Sequence, residues 1–180
     1  MEKKPAMHFV CTLEEAKELA SKHKNFRVSD CGCRDRKGRC KQSRHDVCLM
    51  FYKHVEGSGG EKKEISKNQL HEIFSEAENK KLVPRPFRSD DRKIAEGICF
   101  CCNDCCSYFL DPSEACDKGK HIESTFMNDC THCGLCEDVC YFGARKMKNE
   151  MLKLISGKCY GCGLCIDSCP AGCISMMKRK

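Results

Sequence analysis

Cys130, Cys133, Cys136 and Cys140 spell CxxCxxCxxxC, and Cys159, Cys162, Cys165 and Cys169, with Pro170 behind them, spell it again. Thiolates at this spacing hold iron-sulfur cubanes: three cysteines on one loop reach three irons, while the fourth points away from that loop and serves the other cluster. The pattern predicts one [4Fe-4S] cluster on Cys130, Cys133, Cys136 and Cys169, and a second on Cys159, Cys162, Cys165 and Cys140. The chemistry of such a pair is one-electron transfer. Zinc also takes CxxC pairs, but tetrahedral zinc needs neither a third cysteine at the same spacing nor one that crosses between sites.

The two runs, DCTHCGLCEDVCYFGA and KCYGCGLCIDSCPAGCI, resemble the halves of a bacterial dicluster ferredoxin, with Gly-Leu before each third cysteine and Cys-Pro closing the second run. The resemblance covers roughly a third of the chain. It implies two complete four-iron clusters, because neither run replaces its second cysteine with aspartate. Tyr141 stands where the family usually has proline, which weakens a turn without removing a ligand.

Upstream, Cys31, Cys33, Cys40 and Cys48 lie in SDCGCRDRKGRCKQSRHDVCLMF, and Cys99, Cys101, Cys102, Cys105, Cys106 and Cys116 lie in and after GICFCCNDCCSYF. The first four offer soft thiolates on a loop that also carries Arg34, Arg36, Lys37, Arg39 and Arg44, cations that favour thiolate and stabilise an anionic cluster. A third [4Fe-4S] cluster on Cys31, Cys33, Cys40 and Cys48 is the favoured reading; structural zinc on the same four is the alternative, with His45 and His54 near enough in sequence to substitute. In the second segment the adjacent pairs 101/102 and 105/106 place thiols on different sides of the backbone, so a single local wrap cannot use all of them. A fourth or shared site on Cys99, Cys102, Cys105 and Cys116 is expected there, while Cys11, Cys116 and Cys173 also read as inert core cysteines. This arrangement is similar to the amino-terminal part of a group of ferredoxin-like proteins of anaerobes, in which a CxCR segment, a helix ending in Leu-Val and a cysteine-rich segment precede a dicluster module. That resemblance implies electron transfer and little further chemistry.

Twenty cysteines in 180 residues would make a disulfide scaffold in a secreted chain. Met1-Glu-Lys-Lys-Pro5 has no apolar signal core and no apolar run approaches a membrane span, so a cytoplasmic protein with reduced thiols is expected, and the oxygen lability of exposed clusters points to an anaerobic or microaerobic host. The formal charge of +6 counts each cysteine as neutral. A four-iron cluster with its four thiolates carries about −2, so two clusters lower the total to about +2 and four to about −2. With the basic residues scattered, apart from Lys178-Arg179-Lys180, nucleic acid is not an expected partner. Redox proteins are.

The elements that must position these cysteines read as an α+β fold: a ferredoxin-like dicluster module of two short hairpins and two short helices over residues 121–180, preceded by a small, mainly helical cysteine-rich domain over residues 1–120. Thr12-Leu-Glu-Glu15 and Ser66-Lys-Asn-Gln69 are capping boxes. The first opens a helix with Leu13, Ala16, Leu19 and Ala20 on one face, ending near Lys24; the second opens one with Leu70, Ile73, Phe74 and Ala77, ending before Pro84. Gly57-Ser-Gly-Gly60 with the following Glu-Lys-Lys reads as a surface loop, Pro84-Arg-Pro-Phe87 as an extended connector, and residues 144–149 and 151–156 as a hairpin between the cluster loops.

No phosphate loop, nucleotide fingerprint or activated nucleophile is present in the sequence. The expected function is an electron carrier or electron-transfer subunit, not itself an enzyme. Alternatives are an enzyme or activating protein whose upstream cluster handles substrate, and a redox or metal sensor.

Overall fold

The computed structural model describes residues 4–57, 59–110 and 114–180; Met1–Lys3, at the start read as leaderless, and Ser58, in the segment read as a loop, lie outside them. The chain runs β1 (His8–Phe9), α1 (Leu13–Ser21), β2 (Phe26–Asp30), α2 (Gly32–Lys37), β3 (Cys48–Met50), β4 (Gly59–Ile65), α3 (Lys67–Asn79), β5 (Val83–Arg88), β6 (Ala95–Cys101), α4 (Ser107–Leu110), β7 (Cys116–Asp117), β8 (His121–Thr125), α5 (Leu135–Asp138), β9 (Arg145–Lys148), β10 (Met151–Leu154) and β11 (Ile174–Lys178).

Strands β1 to β7 form one sheet in the order β4-β2-β3-β6-β5-β1-β7. The upstream region is therefore built on a sheet, and the expectation of a mainly helical domain is corrected. Three segments hid it. Strand β4 is nearly all polar because it is the outer strand paired only to β2, so GGEKKEI lacks a buried face to advertise it. Strand β5 contains Pro84 and Pro86, which read as a connector, yet β5 pairs with β6 from Val83 to Arg88. Its other neighbour, β1, pairs with it only at His8–Phe87, so the missing proline donors cost few ladder bonds. Strand β6 spends alternate positions on cysteine.

Both capping boxes form: the Thr12 N–H donates to the Glu15 carboxylate at 2.9 Å while the Glu15 N–H donates to the Thr12 hydroxyl at 3.2 Å, and Ser66 and Gln69 repeat the arrangement. Helices α1 and α3 lay Ala16, Ala20, Ile73, Phe74 and Ala77 on one face of the sheet, against Phe26, Val28, Leu49, Ile98 and Phe100. Period-two alternation in β6 then sends Cys99 and Cys101 to the opposite face. There Cys101 packs with Val10, Val83 and Cys106, and with Leu164 from the carboxy-terminal part.

Residues 121–180 form two antiparallel pairs, β9 with β10 and β8 with β11. The first is the expected hairpin, closed by Asn149 and Glu150, which both take positive φ (51° and 61°) as a two-residue turn of type I′ requires. The second joins the two ends of the module and is not a hairpin, and α5 is its one α-helix; the two-hairpin, two-helix expectation is corrected on both counts. The cysteine runs repeat internally: a 3₁₀ turn, Met127–Asp129 or Ser156–Lys158, enters each loop. His132 and Gly161 occupy matching left-handed positions, φ 53° and 83°. A β-carbon at Gly161 would lie 2.1 Å from the His121 carbonyl oxygen, so only the second repeat demands glycine there.

The two parts are packed together. His121 lies 3.2 Å from the Glu15 carboxylate, the Gly119 N–H donates to the Tyr160 carbonyl at 2.9 Å, and Arg179 donates to the carbonyls of Gly119, His121 and Cys159. No helix among the described residues is long and apolar enough to cross a membrane.

Candidate metal centres

In the carboxy-terminal part Cys130, Cys133, Cys136 and Cys169 line one cavity, together with Cys173. Cys140, Cys159, Cys162 and Cys165 line a second. Each loop thus offers three sulfurs to its own cavity and sends the fourth, through the turn that follows, to the other. Backbone and side-chain donors point at the sulfurs: the Ala144 N–H reaches Cys140 Sγ at 3.2 Å, and Arg145 reaches Cys136 Sγ at 3.4 Å. Arg145 is 1% exposed and is held by Glu123 at 2.5 Å and by Thr125 at 2.7 Å. Burial pushes the Cys162 thiol up to about 12 and the Cys165 thiol up to about 11, so these sulfurs ionise at neutral pH only with a cation beside them. Cys133 is the one exposed cysteine of the twenty.

The upstream cysteines divide in a way their order in the chain does not show. Cys31, Cys33, Cys48, Cys99, Cys101, Cys102, Cys105 and Cys106 line a cavity of about 220 Å³ beside the sheet. Cys31 caps α2 and Cys33 sits in its first turn; Cys101 ends β6 and Cys106 leads into α4. Cys31 neighbours Cys33, Cys33 neighbours Cys106, Cys106 neighbours Cys101, and Cys48 neighbours Cys99. This proximity drives the thiols apart in acidity: Cys33 is held far below the usual range by Cys106 and Cys31, while Cys31 and Cys106 are pushed far above it by their sulfur neighbours. Crowded thiols behave so because they cannot all be anions together without a cation among them.

Cys40 departs from the set proposed for it. It leaves Cys31, Cys33 and Cys48 and meets Cys102 and Cys105, at 3.7 and 3.4 Å, with Cys102 and Cys105 3.3 Å apart. The cause is the backbone reversal after β6: Cys101 and Cys106 face the cavity, and Cys102 and Cys105 turn toward the helix-covered core. Cys101 and Cys106 are thus cavity residues that the sequence reading left out of its candidate ligands; the strand alternation through Cys99 and Cys101 is the signal that points to them. Cys116, on β7, lies near Arg85 and is pushed up to about 11 by burial. Cys11 is core, and Cys173 lies 3.5 Å from Cys169. His45 and His54 are engaged with Asp35 at 2.9 Å and Glu96 at 3.3 Å.

Two more buried arginines serve the upstream sulfurs. Arg85 donates to Cys106 at 3.3 Å and Cys101 at 3.7 Å, is paired with Glu114 at 2.6 Å, and stacks over Tyr108 at 4.4 Å. Arg34, 1% exposed, donates to the carbonyls of Arg44 and Phe100 and to Cys105. Both leave a buried Nε without a partner. A buried guanidinium is costly unless it faces negative charge, and the proximity of thiolate sulfur holds both arginines protonated against their burial.

Between the upstream cavity and the Cys140–Cys159–Cys162–Cys165 cavity lies a layer of rings. Phe142 and Tyr160, both lining the latter, stack at 4.5 Å, and Tyr108 packs on them at 6.2 and 6.1 Å. Phe109 and Tyr141 close the layer's side.

The family model of the 4Fe-4S dicluster domain matches residues 129–173, a span that contains all eight cysteines of the two runs. That part of the chain is a ferredoxin-type dicluster module, and with it the protein carries iron-sulfur clusters and an electron-transfer role. Comparison with curated proteins finds no match.

Proposed function

We propose that the chain is a multi-cluster electron carrier, acting as a polyferredoxin-like protein or as the electron-transfer subunit of a larger oxidoreductase in the reducing cytoplasm. Its two parts, residues 1–120 and 121–180, have separate tasks. In the second, Cys130, Cys133, Cys136 and Cys169 hold one [4Fe-4S] cluster and Cys159, Cys162, Cys165 and Cys140 the other. In the first, Cys31, Cys33, Cys101 and Cys106 hold a third cluster, with Cys48 and Cys99 on the cavity wall. The observation that carries this reading is the packed bridge from Cys106 through Arg85 and Tyr108 to Phe142 and Tyr160, which joins the upstream cavity to a dicluster cavity. An electron entering upstream has a continuous path into the module. It leaves at the other cluster, where Cys133 is exposed and Phe126, Met127 and Leu135, neighbours of the first loop, present apolar surface to a redox partner.

Ligand number supports a cluster over zinc upstream: the cysteines lining the cavity outnumber the four ligands one tetrahedral zinc takes. The two buried arginines on the same wall favour a second reading, in which that cluster also admits a small anion between Arg34 and Arg85. Anaerobic purification followed by iron and acid-labile sulfide analysis tests the main reading: about 12 irons with matching sulfide are expected, whereas about 8 would confine the clusters to the module. An iron-to-sulfide ratio away from one, or a spectrum altered by small anions, would favour the second.

A further inference from the structure

We propose that Cys40, Cys102 and Cys105 form a mononuclear zinc site, bordering the upstream cavity but sharing no ligand with any cluster, with three protein thiolates and an exchangeable fourth position. The argument is the sulfur spacing. Two thiolates on one tetrahedral zinc, with Zn–S bonds of about 2.3 Å, stand about 3.8 Å apart. The three sulfurs lie 3.3, 3.4 and 3.7 Å from one another. Thiolates on a cubane are bound to different irons and stand farther apart, so three sulfurs all in contact with one another fit a single ion, whereas the upstream cavity sulfurs neighbour one another only in pairs. Among the described residues these are the only three metal-binding side chains of the Cys, His, Asp and Glu types whose donor atoms all lie within 4.8 Å of one another, so the cysteines of the dicluster cavities do not share this geometry.

Charge and hydrogen bonding agree. Zinc with three thiolates carries −1, and Arg34, buried beside Cys105 with its Nε unpartnered, supplies the balancing +1. The Gln42 N–H donates to Cys40 Sγ at 3.4 Å, a bond that stabilises thiolate. Three deprotonated cysteines release three protons as the ion binds, and no electron moves. The fourth corner has no fourth cysteine, histidine or carboxylate among the described residues, which is the composition of zinc sites that keep a water or an external ligand. Cys40, on the loop of residues 38–44, is the half-exposed member.

The test uses the full chain, purified without oxygen from cells supplied with iron and zinc, beside a Cys40→Ser variant; Cys40 is chosen because its half-exposed loop tolerates the change. Iron, sulfide and zinc are counted and the zinc X-ray absorption edge is recorded. About one zinc per chain, with three sulfurs near 2.3 Å and one lighter ligand, lost in Cys40→Ser while iron and sulfide stay constant, is expected. Loss of about four irons with their sulfide in Cys40→Ser overturns the proposal in favour of a cubane, and zinc with four sulfurs overturns the open position. Zinc that persists in Cys40→Ser, or no zinc in either protein, overturns the site itself. The inference does not depend on the upstream cluster, whose failure shows in the iron and sulfide counts and leaves the zinc count untouched.

Discussion

The dicluster module and the upstream cysteine region solve the same problem, holding anionic sulfur inside protein, with different means. In the module each cavity takes three sulfurs from one short loop, one from its twin, and a single buried arginine, Arg145, fixed by Glu123. Its own apolar core is small: Cys136, Leu152, Cys165, Cys173 and Ile174, mostly sulfur. Upstream, the sulfurs come from α2, β6 and the turn before α4, placed by a sheet that is packed independently by two helices. Metal is thus part of the module's core, while upstream it sits on a fold that has a core already. A scaffold of the second kind can afford a roomy site.

The largest expected effect tests that division. Stripping metal under anaerobic conditions removes from the module a contribution on the order of 10 kcal/mol, as for other small metal-organised domains. Hydrogen exchange is expected to lose protection in β8, β9, β10 and β11 and to keep it in β3, β5 and β6. Simultaneous collapse of both regions would break the comparison.

Arg85→Leu sharpens it. With an anionic cluster upstream, removing the buried cation costs about 3–5 kcal/mol, read as a lower denaturant midpoint together with loss of upstream iron. Were the sulfurs neutral thiols, the same change would break only the ion pair to the partly exposed Glu114, which keeps His8, and would cost about 1 kcal/mol or less. The size of the shift, with the iron count, decides the charge state of the upstream site.

The smallest structural effect belongs to the ring layer. Tyr108→Leu is expected to cost about 1 kcal/mol or less, since the side chain is half-buried and leucine fills much of its volume. Iron content should not change, but electron exchange between upstream and module clusters, followed by freeze-quench spectroscopy, should slow. Unchanged exchange would remove the ring layer from the path and leave the two regions electronically separate.

The module's cysteines, with both capping boxes and the β9–β10 hairpin, were legible because each is a local pattern: a ligand spacing, a Ser/Thr-x-x-Glu/Gln box, an alternation with a tight turn. The sheet of the upstream region was not. It pairs strands distant in sequence, and its outer and proline-bearing members carry no local sign of pairing. Four cysteines close together in the chain, Cys31, Cys33, Cys40 and Cys48, were grouped by proximity, whereas the fold parts them.

The sequence by itself determined that this chain binds iron-sulfur clusters and in which segment, because a cubane's demand for thiolates at loop spacing is met within single runs of residues. It also carried the expectation that a single local wrap cannot use every cysteine of residues 99–106, since neighbouring side chains leave a strand on opposite faces. Only the tertiary structure decided which sulfurs meet upstream, that Arg34 and Arg85 lie buried among them, and that rings bridge the two regions. Those contacts join residues tens of positions apart, and their partners are chosen by strand order and helix packing, which no local pattern of residues encodes.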